Sequence, residues 1–225
     1  MGKDNQPKHR QQARDLRRRE ALRAPFERVL IVCEGEKSEP LYISDIRSDY
    51  RLATANVQVL SSALGTQPRQ VVEYAEMLFR EGDRSKAIQP CAFDRLVAVF
   101  DRDDHASYHQ ALAKAEALNG KLKNDADESV PFQAAASVPC FELWLLLHFE
   151  DVHAPIHRNE VYDRLKLYLP GYDKGKGGYW AATKDRLDFA IQRAQARAAA
   201  TSAHNGHEPY TGMHDLVSRL IHLKD

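Results

Sequence analysis

The sequence predicts an α/β protein with a parallel sheet of about four strands, helices on both faces and a helical C-terminal extension. Apolar runs rich in β-branched residues alternate with segments whose apolar residues recur at helical spacing. The first run, at residues 28–33, is apolar at successive positions, which is typical of a strand buried on both faces. The resulting order, βαβαβαβ, favours parallel strands joined by right-handed crossovers.

Alternating strands and helices make up the predicted core. In chain order they are a strand at 28–33, a helix at 38–51, a strand at 57–61, a helix at 68–80, a strand at 96–100, a helix at 105–119 and a strand at 130–137. Pro40 suits the first turn of the first helix, because the amide hydrogen that proline lacks has no intrahelical partner there. Gly82 and Gly120 are expected to end the second and third helices.

The rest of the chain is expected to be helical. The predicted helices cover 140–149, 159–169, 183–200 and 213–223. No sharp linker precedes them, so residues 28–225 are expected to form one domain, with a core at about 28–150 and a helical part at about 151–225. Residues 174–178 form the most flexible-looking stretch. A plain surface loop is favoured there over a mobile loop that closes on an anionic ligand.

The charges of the chain are balanced in number but unevenly placed. Lysine and arginine total 32, as do aspartate and glutamate, which gives a formal net charge of zero. The first 28 residues nevertheless hold nine basic and four acidic residues. Residues 1–27 are therefore predicted to be a flexible basic arm. Such an arm either contacts phosphate backbones through counterion release or serves only as a solvated tail.

Several classes of protein are excluded. No apolar run is long enough to cross a bilayer and no secretory signal is visible, so no membrane association is expected. The three cysteines show no Cys-x-x-Cys spacing, which fits a reducing cytoplasm. Residues 35–38 resemble the end of a P-loop, but Leu30 stands where the earlier glycine would be, so ATP hydrolysis is unsupported. No zinc-site motif and no Gly-x-Ser-x-Gly elbow occurs.

Three carboxylates are predicted to meet at one edge of the sheet. The simplest strand order for this connectivity is 2-1-3-4, which puts the first and third strands side by side where the order reverses. Open α/β sheets bind their ligands at such a point. Glu34 follows the first strand, and Asp101 and Asp103 follow the third. If the chain stays extended there, Asp101 and Asp103 point to the same side.

Converging carboxylates require a cation. Their oxygens repel one another unless a positive charge neutralises them, and hard oxygen ligands favour Mg²⁺ or Mn²⁺. A divalent ion held there could clamp a phosphodiester and lower the pKa of an attacking water, so a phosphate-containing substrate is expected. The alternative is that these acids only cap the helices that follow, as Asp104 could do.

Other polar residues have two interpretations each. Glu142 lies in an apolar helix, and an unpaired buried charge is costly, so it is expected to face a metal, a cation or water and is counted as a candidate catalytic residue. Glu39 either faces the same crevice or is an acid at a helix start. Lys37 and Arg102 either neutralise phosphate or form salt bridges with neighbouring acids, and the salt bridge is favoured.

Three blocks of sequence carry a resemblance to a known family. They cover residues 29–39, 99–105 and 137–149, and residues 207–211 resemble a further block of that family in altered form. Together they make the chain similar to RloB-like proteins from about residue 28 to the C-terminus. The resemblance implies a Toprim-like fold and a place in restriction-linked or phage-defence loci, where a Mg²⁺-dependent nuclease role is proposed.

The resemblance also implies roles for the carboxylates. The Toprim pattern, a glutamate after the first strand and Asp-x-Asp after the third, corresponds here to Glu34, Asp101 and Asp103. In Toprim nucleases the glutamate is usually the general acid or base and the aspartates are metal ligands, and these roles are carried over to Glu34 and to Asp101 and Asp103. Because Glu34 belongs to the same carboxylate set, it is also counted among the expected Mg²⁺ ligands. Toprim domains also occur in topoisomerases and primases. Neither a tyrosine-bearing topoisomerase domain nor a polymerising apparatus is recognisable here, so hydrolysis is the simplest use.

The sequence thus predicts a cytoplasmic Mg²⁺-dependent nuclease that cleaves DNA or RNA, with tRNA among the candidates, in defence against phage. A second hypothesis is a catalytically silent nucleic-acid-binding or sensing module that acts with a partner protein such as an ATPase. A third is a nucleotide phosphohydrolase or transferase, which would act on mononucleotides and gain little from the basic arm.

Overall fold

A computed structural model describes residues 26–103, 106–205 and 209–225. The predicted basic arm lies outside these residues except for its last two positions, and so do Asp104, His105 and the first two residues of the 207–211 block. The described chain has an α/β fold with a central, mostly parallel sheet and flanking helices, which confirms the predicted class.

The strands are β1 (Val29–Cys33), β2 (Val57–Ser61), β3 (Arg95–Asp101), β4 (Leu122–Lys123), β5 (Ser129–Val130), β6 (Phe132–Val138) and β7 (Tyr210–Thr211). The main sheet has the order β2-β1-β3-β6-β7. Its first four strands run parallel, and β7 is antiparallel at the edge. The predicted 2-1-3-4 order is therefore confirmed, and β1 and β3 are neighbours.

The helices are α1 (Ser38–Asp49), α2 (Pro68–Glu81), α3 (Tyr108–Leu118), α4 (Glu142–Leu146), α5 (Arg158–Tyr168), α6 (Tyr179–Thr183), α7 (Leu187–Ala200) and α8 (Met213–Ile221). None of the helices in the described ranges is both long and apolar enough to span a membrane. The helix predicted at 140–149 is reduced to the short α4. The helix predicted at 183–200 begins earlier and is interrupted, because the Thr183 hydroxyl donates to the Tyr179 carbonyl at 2.7 Å and the chain then makes a 3₁₀ turn.

β1 lies between two apolar layers, one on each face of the sheet. All five of its residues are buried, and their side chains alternate between the two faces of the sheet. One face packs against α1 and the helices from α4 to α8, and the other packs against α2 and α3. Both tryptophans, Trp144 and Trp180, belong to the first layer. The sheet is thus covered on both sides, as a doubly wound fold requires.

Three short strands were not predicted. β4 and β5 form a separate hairpin, so Val130 pairs with Leu122 and does not begin the fourth parallel strand. β7 adds two residues to the sheet edge, with Thr211 in register with Ser137. Strands of two residues are too short to show an alternating hydrophobic pattern, which is why the sequence gives no signal for them.

Candidate functional site

The carboxyl ends of β1 and β3 bring Glu34 and Asp101 together. In the parallel register Cys33 lies beside Val99, and the Glu34 amide donates to the Val99 carbonyl at 2.9 Å. The Glu34 Oε2 in turn accepts a hydrogen bond from the Asp101 amide at 2.9 Å. Asp101 is only 5% exposed. The sheet therefore holds these two carboxylates in a fixed relation, as the predicted strand order required.

Asp103 reaches the same place by an unexpected route. Its φ of 33° lies in the left-handed region, so the extended backbone assumed for the Asp-x-Asp sequence is wrong. This conformation is uncommon for a residue with a side chain. The Asp103 Oδ2 pairs with the Arg158 guanidinium at 2.8 Å, whereas Oδ1 is buried without a hydrogen-bond partner. A turn, and not strand alternation, brings Asp103 beside Glu34 and Asp101.

Two more glutamates are buried in this region. Glu39 lies in the first turn of α1, and its carboxylate occupies the space that a Cβ on Gly35 would need, so a side chain at position 35 would displace this carboxylate. Glu142 is fully buried at the start of α4. The Tyr172 hydroxyl donates to Glu142 Oε1 at 2.6 Å, and Glu142 Oε2 has no hydrogen-bond partner.

The carboxylates perturb one another. Burial raises the pKa of Asp101 well above its usual range, and the negative charges of Glu39, Glu142, Glu34 and Asp103 raise it further. Burial also raises the pKa of Glu39 to about 7, with the charge of Glu142 adding to the effect. These groups therefore hold a proton or a cation more readily than isolated carboxylates do.

One cavity of about 280 Å³ collects most of these groups. We call it the carboxylate cavity. Its walls come from the loop after β1, the start of α1, the end of β3 and a loop before α6, and they consist of Glu34, Gly35, Glu36, Lys37, Ser38, Glu39, Thr66, Asp101, Asp103, Lys174 and Gly175. Glu142 is not in these walls and lies buried behind them. The amino end of α1, which favours anions, opens in the same wall, and Lys37 at its N-cap makes no side-chain capping bond.

Lys174 brings a cation to the buried acids. Its Nζ lies 3.9 Å from Glu142 Oε1 and donates to the Tyr162 hydroxyl at 3.1 Å. Burial lowers the pKa of Lys174, but the negative charge of Glu142 and the hydrogen bond to Tyr162 act together to raise the pKa above its usual range. Residues 174–178 are largely exposed, as the favoured surface loop would be, and Lys174 and Gly175 also border the cavity.

The donor set fits a hard divalent cation in its chemistry. It offers carboxylate oxygens, and two of them, Asp103 Oδ1 and Glu142 Oε2, are buried without a hydrogen-bond partner. Within the described ranges, however, no three histidine, cysteine, aspartate or glutamate side chains are already arranged around a common metal position. The residue types therefore suit Mg²⁺ or Mn²⁺, and the side chains would have to rotate to bind the ion together.

Several residues near the site were not predicted. Tyr162 and Tyr172 contact its charged groups, and no periodic pattern in the sequence marks either of them. Ser137 lies beside Asp101 in the register of β3 and β6, and its hydroxyl is 3.0 Å from that of Thr211. The signals for this pair were the two family-like blocks that contain them, 137–149 for Ser137 and 207–211 for Thr211. Of the two cations considered from the sequence, Lys37 lines the cavity and Arg102 does not.

Comparison with known proteins gives one family. The model of a family described as RloB-like protein matches residues 29–220, which cover most of the chain and all the carboxylates described above. No curated protein and no solved structure gives a match.

Proposed function

Because the chain belongs to the RloB-like protein family, we propose that it is a Mg²⁺- or Mn²⁺-dependent nuclease that hydrolyses phosphodiester bonds in DNA or RNA during phage defence. The composition of the carboxylate cavity carries this proposal. Glu34, Asp101 and Asp103 supply oxygen ligands for a cation, and Lys37 and Lys174 supply positive charge in the same walls. Cleavage of a phosphodiester through a metal ion uses both kinds of group.

Glu34, Asp101 and Asp103 would hold the ion. When bound, a divalent cation supplies a Lewis acid that polarises the phosphodiester and lowers the pKa of a water. The raised pKa values of Asp101 and Glu39 support this assignment, because both groups would be stabilised in their charged forms by a nearby positive charge.

Side chains and one backbone amide around the cavity would bind the phosphate, accept the proton and orient the carboxylates. The ammonium groups of Lys37 and Lys174 bind the non-bridging phosphate oxygens. The Asp101 amide holds Glu34 Oε2, which orients that carboxylate to accept a proton from the attacking water. Arg158 fixes the orientation of Asp103 from outside the cavity. Glu142, buried and held by Tyr172, supplies negative charge behind these residues.

A cleavage screen tests the proposal. Plasmid DNA, single-stranded DNA and total tRNA are incubated with the protein and Mg²⁺ or Mn²⁺, beside the Asp101→Asn and Asp103→Asn variants. Each substitution is expected to reduce cleavage by about a thousandfold, while circular dichroism shows an intact fold. Asp215→Asn is the matched control, because the Asp215 side chain is 62% exposed on α8 and does not line the carboxylate cavity. Equal cleavage by Asp101→Asn, Asp103→Asn and Asp215→Asn would contradict the assignment.

A catalytically silent binding or sensing module, acting with a partner such as an ATPase, is the second candidate. Two observations favour it: no three ligands are arranged for a metal in the described part of the chain, and Lys174 already brings a positive charge to Glu142. Calorimetric titration with Mg²⁺ and Mn²⁺ separates the two functions. Nucleic-acid binding that persists in EDTA, with no metal binding and no cleavage, would support the silent module.

A further inference from the structure

A second cavity adjoins the carboxylate cavity along one loop. Its volume is about 320 Å³, and its walls come from the end of α5, the turn at 170–172, the loop at 176–178 and the start of α6. We call it the tyrosine groove, because Tyr168, Tyr172 and Tyr179 line it. Lys174 and Gly175 border the carboxylate cavity, and the next residues of the same loop border the groove.

Tyr172 connects the two cavities. Its hydroxyl donates to Glu142 at 2.6 Å, and the residue also lines the groove. The Tyr172 ring lies between two others, with centroid distances of 4.8 Å to Tyr179 and 6.4 Å to Tyr162, and the Tyr162 hydroxyl accepts from Lys174. The Tyr172 side chain therefore lies between the groove and the buried Glu142.

The groove offers aromatic surface together with a positive charge. The Tyr179 hydroxyl accepts from the Asp173 amide at 2.7 Å and donates to the Asp173 carbonyl at 3.0 Å, which fixes its ring. Tyr168 stacks on Phe149 with its ring partly exposed. Lys176 adds an exposed ammonium group. Proteins that bind single-stranded nucleic acid combine aromatic rings for base stacking with cations for the backbone.

We propose that the tyrosine groove binds an unpaired nucleobase of the strand whose phosphate enters the carboxylate cavity. The substrate is then single-stranded DNA or RNA, or an unpaired loop, because a base inside a duplex must first leave its stack to enter such a groove. This inference rests on the proposed function, since it places the strand between the two cavities.

Fluorescence anisotropy in EDTA tests the groove without involving metal or cleavage. The probe is a short fluorescein-labelled oligothymidylate, compared with the same strand in a duplex. Tyr179→Ala is expected to weaken single-strand binding about tenfold, whereas Tyr179→Phe, which keeps the ring, stays close to the wild type. Phe189→Ala is the matched control, because Phe189 is 53% exposed with Arg193 over its ring at 5.6 Å and lines neither cavity. It is expected to leave binding unchanged.

Lys176→Ala gives a second measurement that does not depend on the Tyr179 ring. It is expected to reduce the slope of log affinity against log salt by about one. Wild-type affinity and slope in both Tyr179→Ala and Lys176→Ala would overturn the inference. Equal weakening by Tyr179→Phe and Tyr179→Ala would also overturn it, because the hydroxyl would then act only by holding the loop.

The binding measurements and the cleavage screen together separate this inference from the proposed nuclease. Ring-dependent binding of the single strand, without cleavage under any divalent ion, supports the groove and contradicts the nuclease. Metal-dependent cleavage, with binding unaffected by Tyr179→Ala and Lys176→Ala, contradicts the groove and leaves the nuclease intact.

Discussion

Charged side chains cluster at both ends of β1, but the two clusters differ in how the charges are paired. At the amino end, Arg28 pairs with Asp94 at 2.8 Å and with Asp125 at 2.6 Å, and Asn124 donates to Asp94 at 2.8 Å. At the carboxyl end, the acids around Asp101 outnumber the cations beside them, and two of their oxygens are buried without a hydrogen-bond partner. Each aspartate at the amino end contacts the Arg28 guanidinium, so we call this end the paired end, and we call the carboxyl end the acidic end.

The pKa values record this difference. The hydrogen bond to Asp125 is the largest cause that raises the pKa of the Arg28 guanidinium, so the charged form is stabilised. The pKa of the Asp101 carboxyl is raised by burial and by its acidic neighbours, so there the charged form is destabilised. The amino end therefore stabilises the fold, and the carboxyl end costs stability until a cation binds.

The largest expected effect is on the paired end. Arg28→Met leaves two partly buried aspartates without their shared guanidinium and is expected to lower the free energy of unfolding by about 3 kcal/mol. This value allows for solvent screening at Asp125, whose side chain is 35% exposed. Urea unfolding measures the change. Arg80→Met removes an exposed pair with Glu76 and serves as the control, with an expected change of about 0.5 kcal/mol. Similar losses in the two variants would contradict the assignment.

The second prediction concerns the pH dependence of stability at the acidic end. The pKa of Glu39 is about 7 in the folded protein against 4.5 ordinarily, so the folded state binds more protons between these values and stability falls as pH rises through them. Without divalent ions, the Glu39 contribution is expected to fall by about 2 kcal/mol between about pH 5 and pH 7.5. The difference in unfolding free energy between the wild type and Glu39→Gln isolates it. A difference that does not change with pH would show that Glu39 has an ordinary pKa.

A pair of charge-removing substitutions compares the two ends directly. Asp101→Asn removes a buried carboxyl whose charged form is disfavoured by burial and by the acids around it, so it is expected to raise the free energy of unfolding by about 1 kcal/mol in metal-free buffer. Asp94→Asn, which weakens the pair with Arg28, is expected to lower it by about the same amount. Chemical denaturation of both variants measures the signs. If both substitutions changed the free energy of unfolding in the same direction, the two ends of β1 would not differ in how their charges affect stability.

The smallest effect on stability is expected at Lys174. Its side chain is half-exposed and 3.9 Å from Glu142, so Lys174→Met is expected to change the free energy of unfolding by less than about 1 kcal/mol. Its effect on oligonucleotide binding is larger, because a phosphate contact is lost, and the salt slope is expected to fall by about one. Salt titrations of binding measure this. An unchanged slope would mean that Lys174 only neutralises Glu142.

The meeting of Glu34 and Asp101 could be predicted because it depends on regular features. A buried apolar run gives β1 and β3 their strand character, and right-handed crossovers give the strand order. Once β1 and β3 are neighbours, the carboxylates at their carboxyl ends must lie close together. This part of the site is decided by strand order and hydrogen-bond register. It does not depend on the details of side-chain packing.

The rest of the site depends on irregular chain segments. Asp103 enters the cavity through a turn with positive φ, which the Asp-x-Asp pattern does not specify. Tyr172 and Lys174 come from a loop separated from β3 by about seventy residues, and their contacts with Glu142 arise only after the helical layer has packed. Such contacts between distant segments leave no periodic signal in the sequence.

The placement of both tryptophans on one side of the sheet has a spectroscopic consequence. Trp144 donates to the Tyr42 hydroxyl and Trp180 donates to Asp49, so both indoles report on the layer that contains α1 and α4 to α8. The opposite layer, with α2 and α3, contributes no indole emission. Fluorescence therefore follows the melting of one layer, while circular dichroism follows both. Different midpoints from the two signals would show that the layers come apart separately.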